Sequence, residues 1–330
     1  MHRENPVRIC DRRLSTDSER VETRPTEVKT SVVTGAFGFS GQRIAEKLIL
    51  RGEKVRTLTN HPQPGSPLFG RVQVAPLDFT DTQQLTESMR GASVLYNTYW
   101  IRFSYGGLSH ERAVDNTKVL IHAAEAAGVK RIVHVSITNP SLDSRLPYFR
   151  GKAELEQAIQ SLSLSYAILR PAVLFGEGDI LINYIAFMLK RFPLFAIPGS
   201  GEYHVQPIFV DDLAELAVEG GQRLDSYTVD AVGSESYTYR ELVRMIRSAI
   251  GSRSLIVNLP PAIVRLASGV LGLILNDVVL TEDEIKGLMD DLLVSQKPPT
   301  GRTSLEGWVK LHADKIGKTY ASELARHYNL

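Results

Sequence analysis

Two small sets of residues in this chain have the types and spacing to do chemistry. The first is Gly35, Gly38 and Gly41 within SVVTGAFGFSG, with Phe37, Phe39 and Ser40 between them. Glycine at the first position allows a tight turn. At the second it lets backbone amides approach a phosphate, and at the third it allows close contact between helix and strand. The second set is Tyr148 and Lys152, four residues apart in the helix predicted over 147–162, which puts both on one face, one turn apart. An ammonium beside a phenol favours the phenolate, so the phenol can exchange protons closer to neutral pH. The lysine could also bond the ribose of a nucleotide. Just upstream the chain reads Ser136-Ile137-Thr138, and a hydroxyl there could steady a carbonyl or alcohol oxygen.

These residues need elements to hold them. Residues 31–34 read as a buried β-branched strand, and QRIAEKLILRG as the helix that follows the glycines, with Gly52 as its stop. Strand, glycine turn and helix in that order aim a helix N-terminus at a pyrophosphate. Further strands are predicted over 54–59, 71–75, 93–98, 129–136, 166–169 and 227–232, with helices over 82–91, 109–128 and 147–162 between them. Alternation of this kind predicts an α/β fold with a doubly wound, mostly parallel sheet, whose ligands bind at the carboxyl ends of the strands. From about residue 176 the pattern changes. A helix and a Pro/Gly loop lie within 176–201, and IFVDDLAELAVEGG is a helix with Asp211 or Asp212 as its cap. TYRELVRMIRSAIG and TEDEIKGLMDDLL are amphipathic, and a last helix is expected over 304–328. The division expected is a tail over 1–29, a nucleotide-binding domain over 30–175 and a smaller, mostly helical substrate or partner region over 176–330.

Composition removes several function classes. The 38 Lys and Arg against 37 Asp and Glu give no basic excess for nucleic acid. Residues 1–28 carry six arginines and six acids with few large apolar side chains, which reads as a disordered tail and neither a secretory signal nor a transit peptide. Cys10 is the lone cysteine, so no internal disulfide forms, and a reducing, cytoplasmic compartment is expected. No run reaches the roughly 18 apolar residues that a membrane span needs. The helix over 262–275 is apolar nearly all round; burial is its default, with a partner or a membrane surface as alternatives. His134 reads as a packed strand residue. Asp211 and Asp212 read as capping residues rather than a metal pair, and no metal site is expected.

TGAFGFSG, LDFTD, VHVSITNP, YFRGK and AILRPAVLFGEGD, in this order, resemble the short-chain dehydrogenase/reductase superfamily, in its extended or atypical branch of NAD-dependent epimerases and dehydratases. The later helices are more loosely similar to NmrA-like regulators and to the nucleotide-binding accessory subunit of respiratory complex I. The resemblance implies a Rossmann fold and a bound NAD(H) or NADP(H). It carries the glycine-turn role onto Gly35, Gly38 and Gly41, with backbone contacts from Phe39 and Ser40, and places Asp78 and Phe79 beside the adenine. It makes Tyr148 the proton donor and acceptor and Lys152 the ribose-binding, pKa-tuning residue. The hydroxyl role falls on Thr138, with Ser136 the rival. A hydride would pass to or from the nicotinamide of the cofactor.

Three features depart from the family pattern: Thr138 replaces the usual serine, only nine residues separate it from Tyr148, and bulky Tyr99 and Trp100 end the fourth strand. They argue against a nucleotide sugar. An acid after the second strand would bond the 2′-hydroxyl of NAD, but Thr59-Asn60-His61 stand there, with Arg43 and Arg56 in reach. NADP is therefore expected, with NAD held through Asn60 as the alternative. The function implied is an NAD(P)-dependent oxidoreductase, epimerase or dehydratase acting on a small hydroxyl- or carbonyl-bearing substrate. The alternative is a non-catalytic NAD(P)H-binding sensor or assembly factor. A small-molecule partner is expected and nucleic acid is not; membrane contact is not expected, and an oligomer is allowed.

Overall fold

The computed structural model describes residues 1–2, 28–322 and 324. Most of the expected tail, with Cys10, and the end of the last predicted helix lie outside the described residues. The first half alternates strand and helix: β1 (Thr30–Thr34), α1 (Phe39–Leu50), β2 (Lys54–Leu58), β3 (Gln73–Ala75), α2 (Thr82–Met89), β4 (Val94–Asn97), α3 (His110–Ala126), β5 (Arg131–Val135), α4 (Pro147–Gln160) and β6 (Ser165–Pro171). The second half mixes short strands with helices: β7 (Leu174–Phe175), α5 (Leu181–Arg191), β8 (Leu194–Pro198), β9 (His204–Val205), β10 (Ile208–Phe209), α6 (Val210–Gly220), β11 (Tyr227–Ala231), β12 (Tyr237–Thr238), α7 (Tyr239–Ala249), β13 (Leu255–Leu259), α8 (Pro261–Leu275), α9 (Glu282–Met289) and α10 (Leu305–Leu311).

Seven strands form one sheet in the order β11-β6-β5-β4-β1-β2-β3, with every pair parallel. This is the doubly wound Rossmann-type α/β architecture. Adjacent side chains on each strand go to opposite faces. Val33, Tyr96, Val133 and Leu169 pack with α1 and α6 on one face. Val32, Leu95, Ile132 and Ile168 pack with α2, α3 and α4 on the other. Burial on both faces is why these strands are nearly continuous apolar runs. The winding reverses between β1 and β4, which leaves a crevice at their carboxyl ends.

A second core lies farther along the chain. It joins Ile182, Ile185 and Leu189 of α5, Leu242 and Ile246 of α7, and Trp308 and Val309 of α10. A reciprocal capping box between Thr238 and Glu241 starts α7.

Four expectations are corrected here. The stretch expected as a Pro/Gly loop contains β8, because β13, some 60 residues farther on, pairs with it over five residues. The helix expected over 304–328 stops at Leu311. Turns follow, and Lys190, Arg191 and Asn183 of α5 hold the carbonyls of residues 313 and 316–319 against that helix. Neither Asp211 nor Asp212 caps α6, whose N-cap is Phe209 with no side-chain bond. Asp212 instead accepts from the backbone of Arg302 and Thr303 and from the Thr303 hydroxyl. The apolar helix α8 is buried on one face alone: Val264 and Leu271 pack inward, while Leu266 and Leu273 are 71% and 85% exposed.

Asp212→Ala leaves two backbone N–H groups of the 302–303 segment without their acceptor, at a cost of about 1–3 kcal/mol. Urea unfolding of this variant is expected to show a loss of unfolding free energy of that size, with Asp211→Ala close to wild type.

Candidate functional site

At the end of β1, Gly35 takes φ +67°, a left-handed conformation that glycine adopts without strain. The Gly38 amide donates to the Gly35 carbonyl at 2.8 Å, closing the turn. A Cβ on Gly41 would sit 2.2 Å from the Gly35 carbonyl oxygen, so helix α1 can lie against the turn only if residue 41 has no side chain. Phe37 packs against the sheet core, and Phe39 opens α1 with Ser40 behind it.

The end of β4 is stapled to this turn. The Thr34 hydroxyl accepts from the amides of Thr98 (2.8 Å) and Tyr99 (3.1 Å), and the Thr98 hydroxyl donates to the Thr34 carbonyl at 2.5 Å. Asn97 accepts from the Tyr99 amide through its Oδ1, so its Nδ2 is the donor toward Nδ1 of the fully buried His134. Burial holds the His134 imidazole well below its usual pKa, hence neutral, as expected for a packed strand residue.

The residues expected beside the adenine lie on the β2–β3 flank. Asn60 bridges the backbone of Leu77 with both ends of its amide. Asp78 accepts from the amide and hydroxyl of Thr80, and Phe79 packs on Tyr99 with ring centroids 5.0 Å apart. The Tyr99 hydroxyl accepts from Asn116 of α3 at 2.9 Å. Arg56 does not face a 2′-phosphate, because its guanidinium donates to the Ser88 and Arg90 carbonyls at the end of α2. Arg43 reaches Glu46 at 3.3 Å and lies 4.0 Å from Asp211.

Tyr148 and Lys152 share one face of α4. Lys152 is 2% exposed; its Nζ donates to the Val135 carbonyl at 2.8 Å and lies 4.3 Å from the centre of the Trp100 ring. Burial pulls its pKa down to about 7, with the carboxylate of Glu156 opposing. Trp100 also stands edge-on to Tyr148 at 5.5 Å and stacks on His110 at 5.8 Å. Gly151 makes room for this, since a Cβ there would meet Val114 at 2.9 Å and Trp100 at 3.0 Å. The two hydroxyl candidates are both engaged. Ser136 donates to Glu156, which also holds Arg170, and the fully buried Thr138 donates to the Leu292 carbonyl at 2.8 Å.

A cavity of about 510 Å³ opens beside Tyr148 and Phe39 and is walled by residues from α4, β7, α5 and α9. Sequence reasoning missed most of its wall, including Phe103, His110, Tyr184 and Glu284. Their only local signal is membership of apolar or amphipathic helices and loops, and nothing in that says what they face. Among the described residues there is no group of three or more His, Cys, Asp or Glu able to hold a metal ion. No helix among them is long and apolar enough to cross a membrane.

Comparison with known proteins agrees with this geometry. Residues 35–185 match a family model described as NAD(P)H-binding. The chain is 28% identical over 280 residues to the mitochondrial NADH-ubiquinone oxidoreductase 40 kDa subunit of Neurospora crassa, spanning 82% of this chain and 73% of that protein. It is 26% identical over 251 residues to the 2-alkyl-3-oxoalkanoate reductase of Stenotrophomonas maltophilia, spanning 67% and 76%. Its fold is that of a UDP-glucose 4-epimerase from Thermotoga maritima solved with UDP-glucose, with a TM-score of 0.64, 18% identity, and coverage of 86% of this chain and 97% of that one. The expected Rossmann fold holds, and the NAD(P)H-binding match agrees with the expected cofactor class.

Gly41→Ala forces a side-chain carbon onto the turn, and overpacking of this kind costs about 1–3 kcal/mol. Fluorescence titration with NADPH is expected to show a loss of about tenfold or more in affinity. A second prediction concerns pH. The Lys152 pKa falls from 10.5 unfolded to about 7 folded, so between those values the unfolded chain binds more protons. The cost of burying Lys152 is full below pH 7 and vanishes above 10.5. Lys152→Met should therefore raise Tm most near pH 6, and its advantage should shrink as pH rises toward 10.

Proposed function

We propose that this chain, with its NAD(P)H-binding domain, is an NAD(P)-dependent oxidoreductase of the epimerase/dehydratase type, acting on a hydroxyl or carbonyl group set against Tyr148. The observation that carries the reading is one of placement. Tyr148 lines a cavity that Phe39, the first residue after the glycine turn, also lines, and a buried lysine with a pKa near 7 lies one turn along the same helix.

The glycine turn fits the group it would hold. Its crowding excludes a side chain at Gly41 and leaves little room for one at Gly38, where a Cβ would lie 3.2 Å from the Gly35 carbonyl, so backbone amides and the N-terminus of α1 would face a diphosphate. Asn60, Asp78 and Phe79 flank the adenosine end, and Lys152 is the residue for the ribose. The lack of an acid at residues 59–61 supports NADP over NAD. When bound, the nicotinamide supplies hydride transfer. The chain supplies the proton: Tyr148 gives it to, or takes it from, the substrate oxygen, while Lys152, able to change charge near neutral pH, biases the phenol toward its anion. Thr138 retains lone pairs with its hydroxyl proton committed to Leu292, so its role is to accept from a substrate hydroxyl.

A second reading, a non-catalytic NAD(P)H-binding subunit or assembly factor, draws support from Trp100. Its indole covers Lys152 and abuts Tyr148, and the Neurospora relative is named as a subunit of a larger oxidoreductase.

Tyr148→Phe separates the two. On the catalytic reading, NADPH-dependent reduction of a ketone, followed by loss of cofactor absorbance, falls by about 10²–10⁴-fold while NADPH affinity is unchanged. Wild-type protein that binds NADPH yet turns over no alcohol or ketone would support the second reading.

A further inference from the structure

The cavity beside Tyr148 carries information about what enters it. At about 510 Å³ it is the size of sites that enclose a small organic molecule. Its body is hydrocarbon and aromatic, with Leu146, Phe149, Leu181, Leu288 and Leu293 among its walls.

Its charge is the wrong sign for a phosphate. The lining contains three acids, Glu111, Asp283 and Glu284, and a single Lys or Arg side chain, Arg102. Arg102 is committed: its Nε donates to Glu284 at 2.5 Å and its Nη2 to the Val279 carbonyl at 3.2 Å. The other group able to carry positive charge, His110, has its pKa lowered by burial and is neutral at pH 7. A diphosphate brought here would lose its hydration with Arg102 already paired to Glu284, beside the further carboxylates of Glu111 and Asp283. A neutral molecule of CH₂ and ring groups loses nothing and gains by burial.

We propose that this cavity takes a neutral, mainly hydrocarbon alcohol or ketone whose single oxygen rests at Tyr148, and that it does not take a nucleotide-linked sugar. The proposal names the substrate class of the oxidoreductase read above and rests on that reading for its chemistry. The pocket's selectivity itself is a property of its walls.

Binding reads this out without turnover. Nile red fluorescence on the full chain reports occupancy, and 2-hexanone, 2-octanone and 2-decanone serve as competitors. Each added methylene is expected to tighten competition about threefold to fourfold, and millimolar UDP-glucose is expected to displace nothing. Val173→Trp and, separately, Leu293→Trp fill the cavity and should each weaken the probe about tenfold or more with NADPH affinity unchanged. Leu266→Glu on the exposed face of α8 should leave the probe signal as it is. Displacement by UDP-glucose, a flat response to chain length, or a probe signal lost in Leu266→Glu and kept in both tryptophan variants overturns the proposal. NADPH titration of the same samples keeps the two readings apart. NADPH binding without alkanone competition defeats the substrate class alone. Alkanone competition without NADPH binding supports the apolar pocket and defeats the nucleotide-dependent reading.

Discussion

The structure depends on a closeness that only hydrogen permits. The carbonyl of Gly35 lies where a Cβ on Gly41 would be, 2.2 Å away, so α1 starts hard against the end of β1. The consequence is electrostatic as well as steric. Backbone amides and the positive end of a helix are brought to the point where the sheet reverses its winding. The Thr34 hydroxyl then fixes the end of β4 to that of β1 through the amides of Thr98 and Tyr99. A turn, a helix terminus and two strand ends become one rigid mouth.

The chemistry at its edge follows from burial. Glu156 is 4% exposed and would be costly alone, but Ser136 and Arg170 satisfy it. With both its oxygens engaged there, Glu156 makes no direct hydrogen bond to Lys152, whose contacts are a carbonyl and the face of an indole. Neither restores what water would give an ammonium, which is why its proton is held so loosely. The same Trp100 that sits on Lys152 also stands against the ring of Tyr148, so one side chain packs on both.

The second half of the chain completes the cavity by reaching back to the first. Thr138 and Asn139, at the end of β5, hold the carbonyls of Leu292 and Val294, with Asn139 in a left-handed conformation to do so. Asp212 of α6 takes the amides of Arg302 and Thr303, and Ser295 donates to Asp230 of β11. These bonds set α9 and the chain after it over Tyr148, and Leu288 and Leu293 become cavity wall. Thr138 is thereby a structural fastener as well as a neighbour of the site.

The amino-acid sequence by itself determined what is local. Strands β1 to β6 and β11, the helices between them, the glycine turn and the Tyr148–Lys152 register all follow from periodicity, turn chemistry and spacing, because each is decided within a dozen residues. What only the tertiary structure decided depends on partners far along the chain. β8 is a strand because β13 lies beside it, and residues 312–319 leave the helix because α5 offers donors for their carbonyls. Asp212 turned from cap to clasp for the same reason. The cavity's apolar walls and its neutralised Arg102 were equally invisible, since an apolar helix face in sequence does not say whether it meets another helix or an opening. Propensity and pattern are short-range, and the shape and charge of a pocket are sums over residues that meet only when the chain has folded.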